Sequence, residues 1–153
     1  FGCGVGDSAA AMRAEGLLPI CRDGSAEMVR TANELYNLDA SIALFSELDD
    51  NNIYDGVWAN FSLLHALKSE FPHLIAALHK SLKPGGWLFV ALKLGSGEAR
   101  DKFGRHYAYY EADELDAILI KAGFAVDEKI YGKSKGMAGT DEPWIGGFYQ
   151  KAK

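Results

Sequence analysis

The stretch Phe1-Gly2-Cys3-Gly4-Val5-Gly6-Asp7-Ser8-Ala9, read with Cys21-Arg22-Asp23-Gly24-Ser25 downstream, decides how the rest of the chain is understood. Three glycines in five positions remove side chains from a turn, so the backbone can bend tightly and approach a ligand closely. Such a turn normally joins a strand to a helix. Nothing precedes Phe1 to form that strand, so the sequence reads as starting partway through a longer protein, with a first strand and N-terminal helix missing. Asp7 or Ser8 is expected to cap a helix running through Glu15 and ended by Gly16. Leu17 to Cys21 reads as a short buried strand. Asp23 falls at its end, 17 residues after Gly6.

Working outward, Ser25 is the next N-cap and Ala26 to Tyr36 the next helix, with Met28, Ala32 and Leu35 or Tyr36 near one face. Ile42 to Phe45 and Tyr54 to Ala59 read as strands. Pro72 suits a helix first turn, and Leu74, Leu78 and Leu82 form an apolar stripe at i, i+4 and i+8. Pro84-Gly85-Gly86 turns the chain into Trp87 to Leu94, apolar on both faces as a central parallel strand requires. Gly95 to Arg105 reads as a mobile loop and Ala112 to Ala122 as a helix. Phe124 to Tyr131 and Trp144 to Gln150 read as an antiparallel closing pair joined by Gly132 to Asp141, whose Lys133-Ser134-Lys135 is solvated. Strand and helix alternate from Gly2 to Gly123, which implies an α/β fold, doubly wound around a mostly parallel sheet.

The 153 residues suit a single domain spanning 1–153. Apolar residues make up 48% and charged residues 24%, the balance of an ordinary globular chain. The net charge of −5 argues against nucleic acid as a partner, since phosphate binding needs clustered Lys and Arg. The longest apolar run, Trp87 to Leu92, is far short of the roughly 20 residues that span a bilayer, so no membrane association is expected. Cys3 and Cys21 lack the spacing of a zinc site and read as reduced thiols of a cytoplasmic protein; no metal is expected.

In an open α/β sheet, ligands bind outside the carboxyl ends of the strands. A carboxylate at Asp23 can accept two hydrogen bonds from a ribose diol, worth on the order of 2–3 kcal/mol. Turn and carboxylate together indicate a cofactor containing a nucleoside. Gly4, Gly6 and Ala9 also satisfy G-x-G-x-x-A, which keeps an NAD(P)-dependent oxidoreductase open as an alternative, although Asp7 stands where the dinucleotide fingerprint has its third Gly.

Five stretches in order carry a more specific likeness: Phe1 to Gly6; Cys21-Arg22-Asp23-Gly24-Ser25-Ala26-Glu27-Met28; Tyr54-Asp55-Gly56-Val57-Trp58-Ala59-Asn60; Leu82-Lys83-Pro84-Gly85-Gly86-Trp87-Leu88; and Leu115 to Phe124. With these the chain resembles a class I S-adenosylmethionine-dependent methyltransferase, in the small-molecule branch that includes tellurite-resistance and ubiquinone-pathway-like members. The resemblance implies a Rossmann-like sheet of order 3-2-1-4-5-7-6 with an antiparallel C-terminal strand. The activity it implies is in-line methyl transfer from S-adenosylmethionine to a small-molecule acceptor, with S-adenosylhomocysteine as product. It assigns Gly2, Cys3 and Gly4 to the methionine and ribose portions, Asp23 to the ribose hydroxyls, Gly24, Met28 and Phe45 to the adenine, and Ala59, Asn60 and Phe61 to the vicinity of the sulfonium. Leu44-Phe45-Ser46 stands where the family usually has an acidic residue, and Glu47 comes slightly later. A domain that retains the S-adenosylmethionine pocket without catalysis is a further alternative, since fold alone does not dictate activity.

Acceptor-side candidates come from Lys93 through Tyr110 and from the residues after the fourth strand of the family pattern. His65, Arg105, His106 and Tyr110 are candidate substrate-lining residues: His106 as a base near neutral pH, Arg105 as a holder of an anionic acceptor. His73 and His79 read as surface residues of a helix. Methyl transfer needs alignment more than a dedicated base, and no catalytic residue is assigned.

Overall fold

The computed structural model describes residues 1–135 and 141–153, and the chain forms two compact units, Phe1–Leu48 and Asp49–Lys153. In the first, the glycine turn leads into α1 (Asp7–Ala14). The N-cap is Gly6 rather than Asp7 or Ser8, and no side chain caps it. Asp7 instead accepts a 2.6 Å hydrogen bond from the Tyr36 hydroxyl. The end of α1 is a Schellman closure: Gly16 N–H donates to the Arg13 carbonyl and Leu17 N–H to that of Met12. Arg13 reaches across to the carbonyls of Tyr36 and Asn37, at 2.6 and 2.9 Å, placing a cation at the negative end of α2 (Ala26–Tyr36). Ser25 caps α2 as its sequence indicates, accepting from Met28 N–H.

The strands of this unit are shorter than their apolar runs suggest. β1 is only Arg22–Asp23 and pairs in parallel with β2, Ser41–Ile42. Of the expected strand Leu17 to Cys21, only Cys21 is buried, while Leu18 is 94% exposed. Inter-strand bonding begins at Cys21, whose carbonyl accepts from Ser41 N–H, and Pro19 has no N–H to extend it. The expected strand Ile42 to Phe45 ends at Ile42, and Phe45–Glu47 forms a 3₁₀ turn. The inner face of α2 is Val29 and Ala32, packed with Ala9, Cys21, Leu38 and Ala40; Met28 and Leu35 face outward, a one-residue rotation from the expected face.

The second unit is a four-stranded sheet of order β3-β4-β8-β7, formed by Tyr54–Asn60, Leu82–Lys93, Asp141–Lys151 and Phe124–Lys135. β3 and β4 run parallel, and β8 is antiparallel to both of its neighbours. This is the 4-5-7-6 portion of the expected order, with the expected antiparallel strand. Pro84-Gly85-Gly86 lies in a register shift, between Leu82 opposite Tyr54 and Trp87 opposite Gly56. α3 (Phe71–Ser81) buries Leu74 and Leu78, and α4 (Ala112–Lys121) buries Leu115 and Leu119. The expected mobile loop is instead a hairpin of β5 (Glu98–Arg100) and β6 (His106–Ala108). Asp101 organises its turn by accepting from the N–H groups of Phe103 and Arg105 and from the Arg105 side chain. His79 is not a free surface residue either: its ring sits edge-on to Phe124 at 4.9 Å. Of the segment joining the closing pair, 132–135 extend β7 and 136–140 lie outside the described residues. Among the described residues no helix is long and apolar enough to cross a membrane.

Candidate functional site

In the first unit the glycine turn and the downstream carboxylate meet. Gly2, Gly4 and Gly6 all have left-handed φ, at +75°, +57° and +94°. The N–H groups of Gly2 and Cys3 both donate to the Arg22 carbonyl, at 2.8 and 3.0 Å, fastening the turn to β1. One Asp23 carboxylate oxygen accepts from Gly4 N–H at 2.8 Å, and the other accepts from Ser25 N–H at 2.8 Å. Each oxygen keeps a second lone pair, so the carboxylate is oriented by the backbone yet retains capacity for a vicinal diol. A Cβ built on Gly4 would meet nothing within 4 Å, so the backbone there is open to an approaching group.

Beside the carboxylate the surface is apolar. A Cβ at Gly24 would lie 3.5 Å from Leu44, and Leu44 and Met28 are large exposed apolar side chains. Phe45 packs at a tilt against Phe1, with ring centroids 5.6 Å apart. Glu47 is used locally, accepting from Leu44 N–H. A carboxylate with acceptor capacity to spare, flanked by exposed apolar side chains, has the chemistry that a nucleoside, a ribose joined to a flat base, would need. The Cys3 thiol is pushed up to about 11, chiefly by burial, so at neutral pH it is an uncharged side chain on the turn.

The second unit carries Ala59, Asn60 and Phe61 at the carboxyl end of β3. Ala59 is buried, Asn60 is exposed, and Phe61 holds a left-handed φ of +53° while its N–H donates to the Ala91 carbonyl. A bulky residue in that region marks local strain, which clusters at functional sites. The Phe61 ring meets the Trp144 ring edge-on at 5.8 Å.

The substrate candidates separate. His65 is exposed, its Nδ1 lies 2.8 Å from the His106 carbonyl, and its ring sits 4.8 Å from that of Tyr107. A carbonyl only accepts, so Nδ1 carries the proton and Nε2 is the free acceptor of the neutral ring. Arg105 is held by Asp101 through Nε at 2.8 Å and Nη2 at 2.5 Å. His106 Nε2 stands 3.2 Å from a Glu98 carboxylate oxygen. Tyr110 is fully buried against Phe71, with Lys68 over its ring, and burial raises its hydroxyl well above the ordinary value. Sequence reasoning missed Trp144 and Glu142. Both belong to a strand whose pairing with β4 no local pattern reveals, and Trp144 falls opposite Lys93. Among the described residues no group of three His, Cys, Asp or Glu is placed to hold a metal ion.

A family model described as a methyltransferase domain matches residues 1–129. No protein of curated function matches by sequence. Among solved structures, a S-adenosylmethionine-dependent methyltransferase from Methanosarcina mazei superposes with a TM-score of 0.84 at 18% identity, covering 99% of this chain and 90% of that one. The 1,6-didemethyltoxoflavin-N1-methyltransferase of Burkholderia thailandensis, solved with 1,6-didemethyltoxoflavin and S-adenosylhomocysteine, gives 0.79 at 18%, covering 99% and 69%. A Haloferax volcanii methyltransferase in complex with the Trm112 activator gives 0.80 at 17%, covering 99% and 80%. These likenesses show a shared Rossmann-like methyltransferase fold.

Proposed function

We propose, from the premise that this chain belongs to the methyltransferase-domain family, that it transfers the methyl group of S-adenosylmethionine to a small-molecule acceptor and releases S-adenosylhomocysteine. One observation carries the reading: the Asp23 carboxylate lies 2.8 Å from the N–H of Gly4, so one nucleoside can touch both the turn and the carboxylate. The bound donor supplies a methyl group already activated by its sulfonium, ready for in-line displacement. In this reading Gly2, Cys3 and Gly4 offer backbone to the methionine and ribose portions, and Asp23 holds the ribose hydroxyls. Gly24, Met28 and Phe45 border the adenine. Ala59, Asn60 and Phe61 line the approach to the reacting centre, where their work is to align the nucleophile and exclude water. His65, Arg105 and His106 belong to the acceptor side, with the free Nε2 of His65 available to accept a proton, and Tyr110, fully buried against Phe71, supports that side without touching the acceptor.

The family match runs across both compact units, which supports reading 1–153 as one methyltransferase domain. Cytoplasmic residence belongs to the same proposal and rests on the free thiols of Cys3 and Cys21. The small-molecule acceptor is favoured by the 1,6-didemethyltoxoflavin-N1-methyltransferase neighbour, whereas the Trm112 complex is a neighbour with a protein partner. Calorimetric titration with S-adenosylhomocysteine, NAD and NADP tests the donor: the homocysteine nucleoside is expected to bind and the dinucleotides are not, and the reverse pattern removes the proposal. Methyl transfer measured over an acceptor panel then separates an enzyme from a domain that only binds its cofactor.

A further inference from the structure

We propose that Phe61 and Trp144 form an aromatic wall for a planar acceptor that is uncharged at neutral pH, and that Gly132 is the positioning residue of that wall; this rests on the methyltransferase reading above. The wall stands at the carboxyl ends of β3 and β4, the side of a parallel sheet where ligands bind. β8 runs antiparallel, so its first residues reach the same end, and Trp144 lies opposite Lys93. Both aromatic residues are partly exposed.

The indole has a built seat. Gly132 is the cross-strand partner of Trp144, and a Cβ at Gly132 would run into Trp144 Cζ2 and Cε2. The ring therefore lies over bare backbone, a packing that only glycine permits. Phe61, in its left-handed conformation, brings its ring edge-on to that indole. A flat ring gains most from such surfaces through stacking or edge-to-face contact.

Charge decides against an ionic acceptor. Lys93 Nζ lies 3.9 Å above the Tyr107 ring and is paired with Glu142 at 2.5 Å. Arg105 is paired with Asp101. Each cation of the cluster already has its carboxylate, and a charged acceptor would have to displace one of these partners and desolvate its own charge. A neutral ring needs neither.

The test uses the full chain with S-adenosylhomocysteine titration as control. The acceptor panel sets neutral planar rings (hydroxyquinolines, a hydroxylated flavone, methylxanthines) against charged aliphatic acceptors (phosphoethanolamine, ethanolamine, glycine). Methyl transfer is expected to the planar members, with Trp144→Ala raising their KM about tenfold or more while nucleoside affinity stays within about twofold, and Trp144→Phe recovering most of the loss. Gly132→Ala is expected to shift the near-ultraviolet circular dichroism and raise the same KM, and its melting temperature reports whether it folds. Transfer confined to the charged acceptors, failure of every planar probe to bind or react in a protein that binds the nucleoside, or a KM indifferent to Trp144→Ala overturns the inference and leaves the methyltransferase reading standing. Absence of nucleoside binding by the native chain removes that reading, and this inference with it.

Discussion

Asp23 does two jobs that substitution can separate. Its carboxylate ties the glycine turn to the start of α2 through Gly4 and Ser25, and in our reading it also holds the ribose. Asp23→Ala is expected to cost about 1–3 kcal/mol of stability and to weaken S-adenosylhomocysteine binding tenfold or more. Asp23→Asn keeps one acceptor oxygen, so it should recover more of the melting temperature than of the affinity. Parallel melting and calorimetry decide it: unchanged affinity in a folded Asp23→Ala protein would remove this residue from the site. Gly6 is a purely structural case. Its φ is +94°, and a Cβ there would stand 2.6 Å from Leu38 Cδ1 and 3.2 Å from Ala32 Cβ. Gly6→Ala should lower stability by about 1–3 kcal/mol, read from chemical denaturation. The position of Asp23 was legible from its spacing to the turn. Its hydrogen bond from Gly4 was not, because that bond arises only when β1 and the turn lie side by side; the bond from Ser25 N–H is local, two residues on.

At the scale of elements, the end of α3 is held by a residue distant in sequence. Lys151 on β8 donates to the carbonyls of His79 and Leu82, at 2.9 and 2.7 Å, and to the Asn52 side chain at 3.0 Å. Lys151→Met leaves those acceptors without their cation and should cost about 2–3 kcal/mol. Burial, together with the same ammonium, holds the His79 imidazole below its ordinary value of 6.5, against an opposing hydrogen bond that the ring donates to the Gly123 backbone. The unfolded chain therefore binds a proton in a window just below pH 6.5 that the folded chain refuses. Stability from this group is complete above pH 6.5 and declines as pH falls through the window. Melting temperatures from pH 7.5 to 5 should show the decline, and His79→Gln should flatten it; an unaltered slope would refute the assignment. The helices were legible because their signals are local: a Ser cap for α2, and a proline in the first turn and an apolar stripe for α3. The failures were segments whose state depends on partners. Leu17 to Cys21 is apolar enough for a strand, yet ladder pairing reaches only its end. Gly95 to Arg105 is polar enough for a loop, yet Asp101 closes it into a hairpin.

At the scale of the molecule, the order of strands in the second unit differs from their order in the chain. β8 is the last strand in sequence, and it lies between β4 and β7. The alternation of strands and helices and the closing pair were legible from residue patterns. The insertion of β8 beside β4 was available only through the family resemblance, because periodicity specifies a strand's faces and says nothing of its neighbours. This arrangement makes the sheet depend on its final strand. Without β8, both β4 and β7 lose a row of backbone hydrogen bonds, and the fully buried Ile145 and Tyr149 leave the core. The β4–β8 pairings are long-range, so their loop-closure cost is met only when the whole strand docks, while the β7–β8 pairings are those of a hairpin. A chain ending at Lys135 should consequently lack a cooperative melting transition and should aggregate through the exposed edges of β4 and β7. A peptide of residues 141–153 added in trans should restore secondary structure by circular dichroism, because it carries the full complement of β8 pairings. A sharp, native-like transition in the shortened chain alone would mean that the parallel strands and their helices suffice, and the dependence on β8 argued here would fall.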